Sequence, residues 1–87
     1  MKMIILILKD SDSDAVTQAL TSADYRVTRV ASTGGFLRSG IATLLLGVDD
    51  DRVDSAVALI REKVGKAAPN EKRATLFVVP VERFEQV

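Results

Sequence analysis

The sequence predicts a small α+β domain whose elements run β-α-β-β-α-β, and three observations predict it. Two nearly unbroken aliphatic runs, residues 3–8 and 42–48, each lead within two or three residues into an aspartate-rich segment and then a stretch with helical periodicity. Between them lies a more polar, alternating segment ending in a glycine-rich turn, and a final Phe77-Val78-Val79 run is stopped by Pro80.

The first strand spans Lys2 to Leu8, continuously apolar and rich in β-branched isoleucine, as a strand buried on both faces requires. Ser11-Asp12-Ser13-Asp14 reads as a helix start in which Ser11 caps the free amides, Asp14 reaches back, and the carboxylates meet the positive end of the helix dipole. Ala15, Val16, Ala19, Leu20 and Ala23 then recur at helical spacing. Tyr25 to Ala31 is the second strand, with Tyr25, Val27 and Ala31 expected on one face and Arg26, Thr28 and Val30 on the other; its polarity suits a sheet edge.

Ala42 to Val48 is the third strand, and Asp49-Asp50-Asp51 is expected to cap a second helix carrying Val53, Ala56, Val57, Ile60 and Val64 on its apolar face. Gly65 is placed as that helix's C-terminal cap, and Arg61-Glu62-Lys63 as its solvated last turn. Arg52 and Asp54 are read as surface charges. Arg73 to Val79 is the last strand, and Pro80 bars it from an interior position. Phe77 is expected in the core, and Phe84, in the tail from Val81 to Val87, either packs on the sheet, the favoured reading, or lines a cleft between subunits.

This order is the ferredoxin-like split βαβ arrangement of one domain covering residues 1–87. Right-handed crossovers put the first and third strands in the middle of a four-stranded antiparallel sheet, with both helices on one face. The central strands are apolar on both faces, so a closed homo-oligomer is expected to cover the second. The 87-residue length points the same way, because a domain of roughly 60 residues buries only about 60% of its unfolded surface.

Composition removes most chemistries. With no His and no Cys the chain has no imidazole base, thiolate nucleophile or common zinc site, and 12 basic against 12 acidic residues give no excess for binding a nucleic-acid backbone. No cofactor is expected. The run from Met3 to Leu8 is shorter than a signal-peptide core and no other stretch approaches the roughly 20 apolar residues of a membrane span, so a cytoplasmic protein without stable membrane insertion is expected. No carboxylate pair or hydroxyl–base pair forms a catalytic constellation, so the chain is not read as an enzyme.

The most informative stretch runs from Ser32 to Gly40, holding three of the five glycines. Two readings stand side by side. Gly34-Gly35 is a turn between strands, or it is a backbone cradle whose amides converge on an anion, with Ser32 and Thr33 adding hydroxyls. In the second reading Arg26 and Arg38 supply guanidinium contacts to phosphate and Phe36 stacks on a planar base. A Walker loop is absent, because neither the Gly-Lys-Ser/Thr ending nor a following helix is present. Asp49-Asp50-Asp51 lacks the spacing of a calcium loop and is better read as a helix cap.

The run Tyr25-Arg26-Val27-Thr28-Arg29-Val30-Ala31-Ser32-Thr33-Gly34-Gly35-Phe36-Leu37-Arg38-Ser39-Gly40, then Thr43-Leu44-Leu45-Leu46-Gly47-Val48-Asp49-Asp50-Asp51-Arg52-Val53-Asp54, resembles the cyclic di-AMP receptor proteins of the P-II-like superfamily. The opening strand and Phe77-Val78-Val79-Pro80-Val81-Glu82-Arg83-Phe84 share the likeness. The resemblance implies a P-II-like homotrimer with cyclic dinucleotide sites in the clefts between subunits, engaged in regulation of a downstream protein. It implies ligand contacts at Arg26, Thr28, Gly35, Phe36, Leu37 and Gly47, with Phe36 and Leu37 against adenine, Thr28 and the loop amides on phosphate or ribose oxygens, and Gly47 permitting close approach.

Two departures from the family pattern bear on the ligand. Gly40-Ile41-Ala42-Thr43 stands where the family has Gly-Asn-Thr-Thr, and loss of that amide predicts about 1 to 3 kcal/mol weaker binding, roughly 5- to 150-fold. The link from Gly65 to Lys72 is also shorter than the family's loop. The alternatives are a trimeric structural or protein-interaction module without the ligand, or one that binds a different adenine nucleotide.

Overall fold

The computed structural model describes residues 1–32, 40–64 and 72–87. The elements are β1 (Lys2–Lys9), α1 (Asp10–Ser22), β2 (Arg26–Ser32), β3 (Ile41–Val48), a 3-10 turn (Asp50–Arg52), α2 (Val53–Lys63) and β4 (Ala74–Pro80). The strands form one antiparallel sheet in the order β2-β3-β1-β4, the expected ferredoxin-like arrangement with the first and third strands central.

Alternation along the ladder sets the two faces of the sheet. Ile4, Leu6 and Leu8 of β1 pair with Leu46, Leu44 and Ala42 of β3, and all six are buried against Val16 and Leu20 of α1 and Ala56 and Ile60 of α2. Each fully buried Ile or Leu contributes about 1.5 to 3 kcal/mol, so this layer dominates folding. On the opposite face Ile5, Ile7 and Leu45 are only half-buried, and Phe77, paired with Ile5, is 52% exposed. The core position expected for Phe77 is therefore corrected. It lies on an edge strand, on the face the helices do not cover.

Several local expectations are revised for physical reasons. The β1–β3 ladder runs through Lys9 and Ile41, and the Asp10 amide donates to the Gly40 carbonyl at 2.8 Å, so α1 starts at Asp10, one residue before Ser11. No side chain caps it. The buried Ser13 hydroxyl instead donates back to the Asp10 carbonyl at 2.8 Å. Ala15 is exposed, leaving Val16 and Leu20 as the buried stripe with Ala19 and Ala23 half-buried. The aspartate run forms a 3-10 turn closed by the Arg52 amide on the Asp49 carbonyl, without a side-chain cap, and α2 begins at Val53. Val64 is the residue that ends α2, while Gly65 lies outside the described residues.

The turn from α1 into β2 is a Schellman motif. The Tyr25 amide reaches the Leu20 carbonyl at 2.9 Å and the Asp24 amide the Thr21 carbonyl at 3.1 Å, which places Asp24 in the left-handed region at φ 68°. Arg52 is not a loose surface charge. Its guanidinium donates to the Ala23 carbonyl at 2.9 Å and lies 4.1 Å from the centre of the Tyr25 ring, tying the start of α2 to this turn. At the other end of the molecule Arg73 grips Asp12 through two contacts of 2.9 and 3.2 Å, holding the entry to β4 against α1.

The register of β2 contains one irregularity. Arg29 pairs with Leu44 and Ala31 with Thr43, so Val30 is an extra residue, a β-bulge, and it is 57% exposed. The simple alternation expected for Tyr25 to Ala31 therefore stops at Arg29. Arg26 and Thr28 pair with Gly47 and Leu45, but Ala31 no longer shares the register of Val27.

Candidate functional site

Two neighbouring rungs on the open face bring three of the sequence-derived candidates together. Arg26 and Thr28 on the edge strand β2 stand opposite Gly47 and Leu45 of β3, and Met3 of β1 stands opposite Gly47 on the far side. These residues floor a cleft of about 890 Å³, within the roughly 300 to 1,000 Å³ range of small-molecule sites. The chain after β4 forms its other wall. The Val81 amide donates to the Met1 carbonyl at 3.1 Å, prolonging the ladder past Pro80, and carries Arg83, Phe84 and Gln86 alongside the sheet.

Each part of the floor suits an anionic, planar guest. Gly47 offers bare backbone, and a methyl group placed there would meet only the flexible tip of Met1, at 3.4 Å. Nothing inside the fold therefore demands glycine at this position, whereas a guest lying on the strand would. Thr28 is exposed and lines the cleft. Arg26 is exposed and has no ion pair among the described residues, while Arg29, Arg73 and Arg83 are each matched to a carboxylate. Arg83 pairs with Glu85 at 2.7 Å in a fully wet setting, where such a pair adds little stability and is readily exchanged.

Phe84 is 64% exposed and lines the cleft, which replaces the favoured reading that it packs on the sheet. Met1, Met3, Arg83 and Gln86 line the cleft without having been singled out in the sequence. The one sequence cue was an aromatic in a polar tail; the methionines sit in an apolar strand pattern that gives no sign of which face is open. At the rim the Met1 amino group lies 3.0 Å from the Asp50 carboxylate. Its hydrogen bond holds the Asp50 carboxyl below the usual aspartate range against the opposing effect of desolvation, with lesser help from the charges of that amine and of Lys2.

The loop candidates occupy the other end of the sheet. Ser32 closes β2 and pairs in register with Ala42, whereas Thr33, Gly34, Gly35, Phe36, Leu37 and Arg38 lie outside the described residues. Arg26 and Ser32 are six residues apart on one strand, about 20 Å at roughly 3.3 Å per residue. Ile41, also at the loop end, is 55% exposed. Among the described residues no helix is long and apolar enough to cross a membrane.

The fold and its open-faced cleft define a ferredoxin-like α+β domain with a small-molecule-sized recess beside an arginine that has no ion pair among the described residues. The family described as cyclic-di-AMP receptor matches residues 1–69 of the 87, and the chain belongs to that family. The match takes in Arg26, Thr28, Gly47 and the whole loop between β2 and β3. A crystal structure described as that of a functionally unknown protein from Pediococcus pentosaceus is 28% identical, covering 99% of this chain and 96% of that one, with a TM-score of 0.76.

Proposed function

We propose that the protein is a non-catalytic signal-transduction receptor that binds a cyclic dinucleotide, cyclic di-AMP first, in the cleft on the open sheet face. The observation that carries this reading is Arg26: a solvent-facing guanidinium with no ion pair among the described residues, beside the Thr28 hydroxyl and the bare Gly47 backbone, all within the region matched by the receptor family. Arg26 meets phosphate, Thr28 donates to a phosphate or ribose oxygen, and Gly47 lets the ring lie close.

The site is completed in a homotrimer. Two features support this: the apolar face that one chain leaves half-covered, and the distance of about 20 Å between Arg26 and the start of the loop on the same strand. A loop from a neighbouring copy brings Gly35, Phe36 and Leu37 to the cleft and seals it. Ligand binding then reorders surface segments and changes what the trimer engages in the cytoplasm.

Titration calorimetry with cyclic di-AMP, cyclic di-GMP, ATP, ADP and AMP tests the reading. Saturable binding of cyclic di-AMP, one per chain, with light scattering at about three times the 9.4 kDa chain mass, is expected. Phe36→Ala should weaken binding by an order of magnitude or more, matching about 1 to 3 kcal/mol of stacking per base. A trimer indifferent to all five nucleotides would instead identify a structural or protein-interaction module.

A further inference from the structure

Two guanidiniums line the cleft from opposite sides. One rung of its floor runs from Arg26 through Gly47 and Met3 to Val79, so Arg26 and the chain leaving β4 stand three strand spacings apart, about 14 Å at roughly 4.8 Å each. Pro80 has no amide to donate, and the Val81 amide fixes the departing chain to the Met1 carbonyl at 3.1 Å. Arg83 follows two residues after that anchor and lines the cleft wall. Glu82 is the one carboxylate among the described residues that line it. Arg26 and Arg83 together therefore leave the cleft cationic, whereas Arg26 alone would only balance Glu82.

Arg83 is held loosely. Its partner Glu85 lies two residues on in the same tail, outside the cleft lining, and the 2.7 Å pair joins side chains that are 78% and 57% exposed. Water competes for both groups, so such a pair is easily given up. Arg73 shows the contrast: it grips both oxygens of Asp12 between side chains that are largely buried, as a structural pair does. A phosphodiester lying in the cleft offers Arg83 two coplanar oxygens in a drier setting than Glu85 provides.

We propose that Arg83 is the second phosphate-binding group of this cleft, exchanging Glu85 for a phosphodiester as ligand enters, and that Arg26 and Arg83 together select nucleotides with two separate phosphates over those with one. The identity of the ligand rests on the proposed function. Glu85 is an internal competitor: its pair with Arg83 is broken at each binding event, so it lowers affinity without touching the ligand.

Calorimetry with cyclic di-AMP, cyclic di-GMP, cyclic AMP and AMP tests the exchange. Arg83→Gln should raise the Kd for cyclic di-AMP about 5- to 30-fold, with secondary structure by circular dichroism unchanged because the side chain buries almost nothing. Glu85→Gln should lower that Kd about 2- to 5-fold, and in the Arg83→Gln background its effect should vanish. A tail that serves only as a wall gives no such dependence of one substitution on the other. Binding by Arg83→Gln within about twofold of the unaltered protein, or an equal effect of Glu85→Gln in both backgrounds, overturns the proposal. So does a preference of the unaltered protein for cyclic AMP or AMP over both cyclic dinucleotides, which would leave a nucleotide site with one phosphate position.

Inorganic phosphate, followed through the Nε–Hε magnetic resonance signals of Arg26 and Arg83, separates this role from the nucleotide reading. If no nucleotide binds while phosphate shifts both signals, and shifts that of Arg83 at lower concentration in Glu85→Gln, the nucleotide reading falls and the paired anion site stands. Phosphate shifts at Arg26 alone, or at neither arginine, overturn the role of Arg83.

Discussion

Gly47 sits in the interior of a strand, where a glycine lacks side-chain packing and costs about 0.5 to 1 kcal/mol relative to alanine. Because only the mobile end of Met1 would meet a methyl group there, Gly47→Ala should raise the unfolding free energy by about that amount in urea titration. The same substitution lifts the floor of the cleft, so cyclic di-AMP affinity should drop about tenfold or more in calorimetry, as overpacking of a close contact does. Opposite signs for stability and binding are the mark of a residue kept for a guest. Gly47 and Arg26 stood out as candidates in the sequence, and the sheet pairs them on one rung, whereas the place of Phe84 was open between packing and cleft because an isolated aromatic near a chain end does not reveal whether a groove or a core receives it.

At the level of elements, three arginines make polar contacts that join helices to strands or to the turn before one. Arg29 joins β2 to α1, Arg73 joins the start of β4 to α1, and Arg52 joins α2 to the turn that precedes β2. Arg52→Ala should cost about 1 to 2 kcal/mol, combining a hydrogen bond to a carbonyl with the stacked contact on Tyr25, and Arg52→Lys should recover less than half of it. Denaturation of each variant, monitored by the Tyr25 environment, measures both. Strand and helix identities were legible because aliphatic runs and three-and-four spacing are strong signals, and the boundaries moved by only a residue or so. The Val30 bulge was not legible. Alternation from Tyr25 onward breaks at the adjacent Thr28 and Arg29, but that break does not identify the extra residue, which follows from pairing with β3, a long-range event.

For the whole molecule, the asymmetry between the two sheet faces is the dominant feature. Helices seal one face, while the other presents Ile5, Ile7, Leu45 and Phe77 in a sheet that is otherwise complete. Phe77→Glu removes no core contact from a single chain, so the variant should keep its secondary structure by circular dichroism. In the proposed trimer a charge on this packed face would be desolvated without a partner, so light scattering should report single chains for this variant where the proposal expects three for the unaltered protein. A trimeric Phe77→Glu protein would remove that face from the assembly. Apolarity of the central strands on both faces was visible in the sequence pattern, and the half-buried Ile5, Ile7 and Leu45 are its counterpart in the structure.

The unpaired residue at Val30 makes the parity of the hairpin a discrete variable. Point substitutions exchange one side chain for another, but only an insertion or deletion in β2 can swap which backbone positions beyond Arg29 meet which partners on β3. Descendants of this chain can thus alter the residues around Arg26 and Thr28 gradually, whereas the presentation of the neighbouring hairpin tip can change only in a single jump.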